Sequence, residues 1–339
     1  MREVAEAAGV SRATASYALR GDPRIIPKTA EKVMRAARDL QYTTNLTAKS
    51  LRSGKSGIIG VAIFELDKPY PSEMSAAVSR EAAKNGFQAI IQQTSNSKES
   101  EISILQKVTS QLCDGTIFSP GNVTSEEIKE LAGGKPIVLL DSTSLSPLFD
   151  TVLTPSEDGA HDAIEHLLKI GCRNILILGA DFGILQKPDQ KMTVSARRLR
   201  GCKRAFDEVG MSFTHDNVVD TPDWGTETAR RTIHNLVQSG RHFDGLFCMT
   251  DSMSLGAIRS LADSGIRVPD DVRVIGFDGI NEGDFSVPSL STIEVDLHDL
   301  AQKSIELLAR RIDGDTTSIP QSVTAEYRLI ERESTSMQR

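Results

Sequence analysis

Apolar positions fall in two different rhythms along this chain. Over the first forty residues the rhythm is helical: Val4, Ala8, Ala15 and Leu19 keep i,i+4 spacing on either side of Gly9-Val10. Gly9 suits the left-handed position that ends a first helix, and Ser11 suits the N-cap of a second. A third helix is expected from about Pro27 to Leu40, with Val33, Ala37 and Leu40 as its apolar stripe and Pro27 in its first turn. Ile26 stands where a Ser, Thr or Asp cap would be expected, so that start is poorly capped. Residues 41–57, QYTTNLTAKSLRSGKSG, read as a polar linker with one short helical piece over 45–52. A helix that short is marginal on its own, because nucleation is costly.

From Ile58 onward the pattern changes to short apolar runs separated by helical stretches. IIGVAIF (58–64), QAIIQQT (88–94), GTIFSP (115–120), PIVLLD (136–141), NILILG (174–179), GLFCMT (245–250) and VRVIGFD (272–278) read as buried parallel strands. Residues 157–170, 198–209 and 252–264 are examples of the intervening helices. Such alternation over more than 200 residues predicts an α/β fold of open, doubly wound parallel sheets with helices on both faces. Length favours two lobes over one large sheet.

Composition narrows the class. The 339 residues allow about two domains, and 39% apolar with 25% charged residues is an ordinary globular balance. No apolar run approaches the ~20 residues of a membrane span. MREVAEAAG at the start has no apolar signal-peptide core. Cys113, Cys172, Cys202 and Cys248 show no CxxC spacing, against a disulfide framework or zinc knuckle, so a reduced, cytoplasmic setting is expected. The net charge of −7 hides an asymmetry. Residues 1–57 carry 11 Lys and Arg against 5 Asp and Glu, whereas the rest carries 28 against 41. A basic head on an acidic body points to a polyanion at the head; on charge alone, a solvated basic face is the other reading.

Enzyme readings find little support. SGKSG (53–57) resembles the end of a phosphate-binding loop, but Lys49 stands where the first glycine is required. No G-x-G-x-x-G follows the first strand, and there is no G-x-S-x-G elbow. His161 and His166 are five apart and so do not stack as i,i+4 metal ligands. No catalytic residue, cofactor or metal is expected.

The stretch EVAEAAGVSRATASYALRG (3–21) has the length and spacing of a helix-turn-helix, whose second helix enters the major groove. Directly after the Ser11 cap, Arg12 and Ala13 would face base edges, and an arginine there can bond guanine O6 and N7 bidentately. Thr14 and Ser16 could reach phosphates, which fix position without reading sequence. An ordinary helical hairpin fits the period equally; the A-x-x-A-G-V-S-x-x-T-x-S spacing favours DNA.

VAEAAGVSRATASYALRG, the third helix ending RDLQY, and NLTAKSLRSGKSGIIGV resemble the LacI/GalR family of bacterial transcription regulators. The resemblance continues through TDSMSLGAIRSLADSGIRVPDDVRVIGFDGI (250–280), PSLSTIEVD (288–296) and YRLIERESTS (327–336), nearly the whole chain. It implies a homodimeric regulator, more often repressor than activator, that binds a pseudo-palindromic double-stranded operator and a small effector, commonly a sugar. It also implies a helix-turn-helix head over 1–43, a hinge helix and linker over 44–57, and a periplasmic-binding-protein-like body over 58–333. The N-lobe is then expected at about 58–154 and 283–313, and the C-lobe at about 155–282 and 314–333. In such proteins the linker helix wedges a leucine into the minor groove. That role falls on Leu51, with Asn45, Ala48 and Lys49 beside it, and a wedge of this kind unstacks a base step in exchange for wider contact. Tyr17 stands at a recognition-helix position where the family has arginine.

Ligands of doubly wound sheets bind beyond the carboxyl ends of the strands, where Ser119, Asp141, Thr250, Asp251 and Asp278 lie. The resemblance adds Arg198, three residues before Gly201, Trp224 as an aromatic platform for a sugar face, and Tyr70 and Pro71 on the opposite wall. The neighbouring Arg197 and Arg200 leave the arginine register open. Asp251 and Asp278 could instead cap helices, and Trp224 could belong to the core. A stand-alone sugar-binding protein and a regulator with a nucleobase effector are the competing functions.

Overall fold

The computed structural model describes residues 1–19, 21–42, 55–142, 147–186 and 193–336. Two compact units divide the chain, Met1–Ser56 and Gly57–Arg339.

The first unit holds α1 (Arg2–Ala8), α2 (Arg12–Leu19) and α3 (Pro27–Asp39). Gly9 ends α1 at φ 63°, a left-handed conformation that costs glycine little. The Thr14 amide donates to the Ser11 hydroxyl at 3.1 Å, and Ile26 gives α3 no side-chain cap, both as expected. The core is small: Val4, Ala15 and Val33 are fully buried, with Ala5, Ala18, Ala36 and Ala37 around them. Alanine at these positions lets three short helices approach closely.

In the second unit, one lobe carries β1 (Ile58–Ile63), β2 (Gln88–Gln93), β3 (Gly115–Phe118), β4 (Ile137–Leu140) and β5 (Asp150–Leu153). Its helices are α4 (Pro69–Lys84), α5 (Lys98–Ser103), which runs through a π-helical turn at Ile104–Thr109 into α6 (Ser110–Leu112), and α7 (Ser125–Leu131). The other lobe begins with α8 (Ser156–Lys169), β6 (Ile175–Leu178), α9 (Val194–Glu208), β7 (Val218–Val219), α10 (Thr226–Gln238) and β8 (Gly245–Cys248). It continues with α11 (Asp251–Asp263), β9 (Arg273–Asp278), α12 (Glu282–Phe285) and β10 (Ser291–Val295). The chain ends with α13 (Leu297–Ile312), β11 (Ser322–Thr324) and β12 (Tyr327–Ile330).

Among the described residues the sheets run β11-β5-β4-β3-β1-β2 and β12-β10-β9-β8-β6-β7. Every pair is parallel except β10 with β12. Both are doubly wound, and the order reverses between β1 and β3 and between β6 and β8, which is where such sheets open a crevice. The central strands are apolar throughout because helices cover both faces.

The expected lobe boundaries need correction. β10 pairs in parallel with β9, so the C-lobe keeps the chain through Val295. α13 then packs on α4 and on the first sheet, and β11 adds to β5 of that sheet, so 297–324 belong to the N-lobe. The chain returns to pair β12 with β10. It therefore crosses between lobes near 154, 296 and 325, instead of at 282 and 313.

α8 and α9 lie against each other because Gly201 has no Cβ; one built there would run into the Glu157 carbonyl oxygen. His161 of α8 joins the two helices, with Nδ1 3.0 Å from Asp162 Oδ1 and Nε2 2.8 Å from Glu208 Oε2 of α9. Burial alone would lower the imidazole pKa, but the bonds to Asp162 and Glu208 outweigh it and raise the value. A pKa raised on folding gives a stabilisation complete below the unfolded value and lost as pH rises through the folded one. Wild type should therefore melt above His161→Gln by about 2–4 °C near pH 6, with the gap closing in alkali. A gap independent of pH would remove the charged imidazole from the account.

Candidate functional site

On α2, Ala15 and Ala18 face the core, leaving Arg12, Ala13 and Tyr17 exposed on one face. That is the surface a groove-reading helix must offer. Thr14 is turned to the cap, its hydroxyl 2.9 Å from Ser11 Oγ, so Ser11 and Thr14 hold the helix start together. Ser16 is half-buried. The hinge residues Asn45, Ala48, Lys49 and Leu51 lie outside the described residues.

In the body, polar groups gather at the carboxyl ends of β4 and β9. Asp141 and Asp278 occupy them at φ 53° and 122°, in the region that disfavours side chains. Backbone strain of this kind clusters at ligand sites. The adjacent arginines Arg197 and Arg198 are both buried and turn to different carboxylates. Arg198, 3% exposed, donates from Nη2 to Asp278 Oδ1 at 3.3 Å and from Nη1 to the Met249 carbonyl. Its guanidinium lies 3.6 Å from the Phe277 ring centroid and 5.6 Å from that of Trp224. Burial raises the Asp278 pKa, and Arg198 supplies the counter-charge that opposes this. Gly201, by letting α9 seat on α8, sets the height of Arg198 one turn away.

Arg197 takes the other lobe's carboxylate. Its Nη2 lies 2.5 Å from Asp141 Oδ1 and its Nη1 3.3 Å from the Thr154 carbonyl. The same Oδ1 accepts from the Thr154 amide at 2.8 Å and hydroxyl at 2.7 Å. Thr154 stands at the first lobe crossing, so this cluster ties Asp141 to the hinge. In the sequence Arg197 stood only as an alternative register to Arg198, and its pairing with Asp141 had no signal there.

Tyr70, in the first turn of α4, reaches the same region. Its hydroxyl is buried and finds no hydrogen-bond partner among the described residues, and burial together with Asp141 and Asp278 raises its pKa. An unpaired buried hydroxyl is costly, and a ligand oxygen would satisfy it. Trp224 is half-buried, its indole N–H donating 2.8 Å to the Gly179 carbonyl beyond β6, which fixes the ring.

The remaining candidates divide. Ser119 is half-buried just beyond β3. Thr250 caps α11, accepting from the Met253 amide at 3.2 Å. Pro71 is buried within α4, and its carbonyl accepts the Ser75 hydroxyl at 2.7 Å. Asp251 must be corrected. It is fully buried; Oδ1 accepts from Thr292 at 2.7 Å, and Oδ2 from the Gly279 and Ile280 amides at 2.7 and 2.9 Å. Oδ2 thus holds the loop after β9 and Oδ1 holds Thr292 of β10, so the fully buried carboxylate is engaged within the lobe instead of facing an effector. Burial raises its pKa to about 6 in spite of those bonds.

Comparison with known proteins agrees with both units. Residues 1–45 match the family described as bacterial regulatory proteins, lacI family, and residues 164–335 match a periplasmic binding protein-like domain. The chain is 30% identical to the ribose operon repressor of Halalkalibacterium halodurans, over 92% of this chain and 90% of that one. It is 28% identical to catabolite control protein A of Priestia megaterium, over 93% and 92%. The Lac repressor dimer bound to operator and the anti-inducer ONPF superposes with a TM-score of 0.82 at 26% identity, covering 98% of this chain and 97% of that one. The relatives are transcription regulators, and the present protein is a sequence-specific DNA-binding regulator with the same two-part architecture. The chain belongs to the lacI family of bacterial regulatory proteins.

Proposed function

We propose that the protein is a homodimeric, cytoplasmic repressor whose operator affinity is set by a sugar held between the lobes of its body. The observation that carries the sugar reading is the convergence of Arg198 and Asp278, the Tyr70 hydroxyl, unpaired among the described residues, and the face of Trp224. A sugar ring offers an apolar C–H face to an indole and adjacent hydroxyls to a carboxylate and a guanidinium. Ser119 and Thr250 belong to the rim of this cleft, and Asp141 gives it a second carboxylate. In the head, Arg12 reads a base edge, and Leu51 acts as the minor-groove wedge with Asn45, Ala48 and Lys49 beside it. A homodimer suits a pseudo-palindromic site, because two-fold protein symmetry matches two half-sites. An effector shifts operator affinity only by its differential affinity for the two lobe arrangements.

Trp224 is the only tryptophan, which makes the test direct. Its fluorescence should change saturably with one mono- or oligosaccharide, and the same sugar should alter binding to DNA sites selected from a random pool. A purine response with no sugar response would replace the effector reading and leave the regulator intact.

A further inference from the structure

The exposed face of α2 is extended by a residue from the loop that follows it. The Arg24 guanidinium carbon lies 4.8 Å from the centroid of the Tyr17 ring. Its Nε and Nη2 donate to the two carboxylate oxygens of Asp22 at 2.9 and 2.7 Å, and its own amide donates to Asp22 Oδ1 at 3.0 Å. Asp22 is anchored in turn, its amide bonded to the Tyr17 carbonyl at 3.1 Å and its carbonyl to the Ile25 amide at 3.0 Å. The Asp22 side chain is 16% exposed and that of Arg24 is 72% exposed. The carboxylate therefore stands behind the guanidinium.

This lock does little for the fold. Fixing an exposed arginine forfeits rotamer freedom, and an exposed ion pair returns little of it. What it achieves is presentation. The pair engages one Nε and one Nη2 hydrogen of a five-donor planar fork, so donors remain on the outer edge. A ring beneath and a carboxylate behind hold that edge beside Tyr17, on the face that offers Arg12 to the groove.

We propose that Arg24 is a second operator-contacting arginine, with Tyr17 and Asp22 as its positioning residues. Its ligand is a pair of adjacent acceptors on the duplex, supplied either by guanine O6 and N7 or by a phosphate. Tyr17 lies five residues beyond Arg12, about 7.5 Å along the helix, so Arg24 beside Tyr17 meets the duplex at a different place from Arg12.

The test uses the full-length protein and duplexes selected by it from random DNA. Arg24→Ala should lose roughly 10- to 100-fold of discrimination at a position other than the one that Arg12→Ala relaxes, if the acceptor is a base. If it is a phosphate, binding should weaken on all sequences and the salt slope should fall by about one. Arg24→Lys, which keeps the charge but not the fork, should recover only part of the loss. Asp22→Asn and Tyr17→Leu should weaken binding at the same position as Arg24→Ala. Full recovery in Arg24→Lys would overturn the proposal. So would an unchanged site preference and salt slope in Arg24→Ala, or a lowered melting temperature with operator recognition intact in the folded protein.

Discussion

Arg198→Ala should destabilise the body by about 3–5 kcal/mol, because it leaves the Asp278 carboxylate buried opposite nothing. The pair is nearly water-free, with Arg198 3% and Asp278 5% exposed. Asp278 can relieve the loss by taking a proton, and its pKa is already raised by burial. The loss should therefore shrink as pH falls, which urea melts at pH 5 and pH 8 would show. The double variant Arg198→Met, Asp278→Asn removes both charges and should recover most of the stability. It should still fail to respond to effector while binding operator DNA, since the head is a separate compact unit. A double variant with an intact fluorescence response would show that the pair is structural only.

Gly201→Ala should cost about 3 kcal/mol, the upper end of the overpacking range. The added methyl meets the Glu157 backbone oxygen, which cannot rotate away as a side chain can. α9 would have to lift from α8 and carry Arg198 with it. Stability and effector affinity should fall together, whereas Val209→Ala at the exposed end of the same helix should change neither. A loss below about 1 kcal/mol would mean that the two helices slide apart at little cost.

The helical rhythm of the head and the apolar runs of β1, β3, β4, β6, β8 and β9 were legible because each buries a continuous face. β5, β7, β10, β11 and β12 were not. β7 has two residues, and Ser291–Val295 and Ser322–Thr324 mix hydroxyl and apolar side chains. Their membership depends on partners far along the chain, which is why the lobe boundaries were displaced. In the candidate site, the family's glycine spacing pointed to Arg198, and Gly201, one turn from it, is the residue that lets α9 seat on α8. Asp251 failed as an effector ligand because position at a strand end does not say whether a carboxylate turns toward the cleft or toward Thr292 and two amides. Arg197 was legible only as an alternative register and Arg24 not at all, because their contacts come from other segments: Asp141 across the lobe crossing, and Tyr17 with Asp22 around a turn.

The three crossings between lobes also govern the order in which the chain can be completed on the ribosome. β5 is made by Leu153, yet α13 and β11, which cover and flank it, follow only at 297–324. At roughly 5–20 residues per second, the N-lobe waits on the order of 10–35 s with the edge of β5 and one sheet face bare. The C-lobe emerges almost whole in that interval. The lobe that is written first is thus finished late, and until Thr324 has cleared the exit tunnel its open edge is a binding surface for chaperones or for a neighbouring nascent chain.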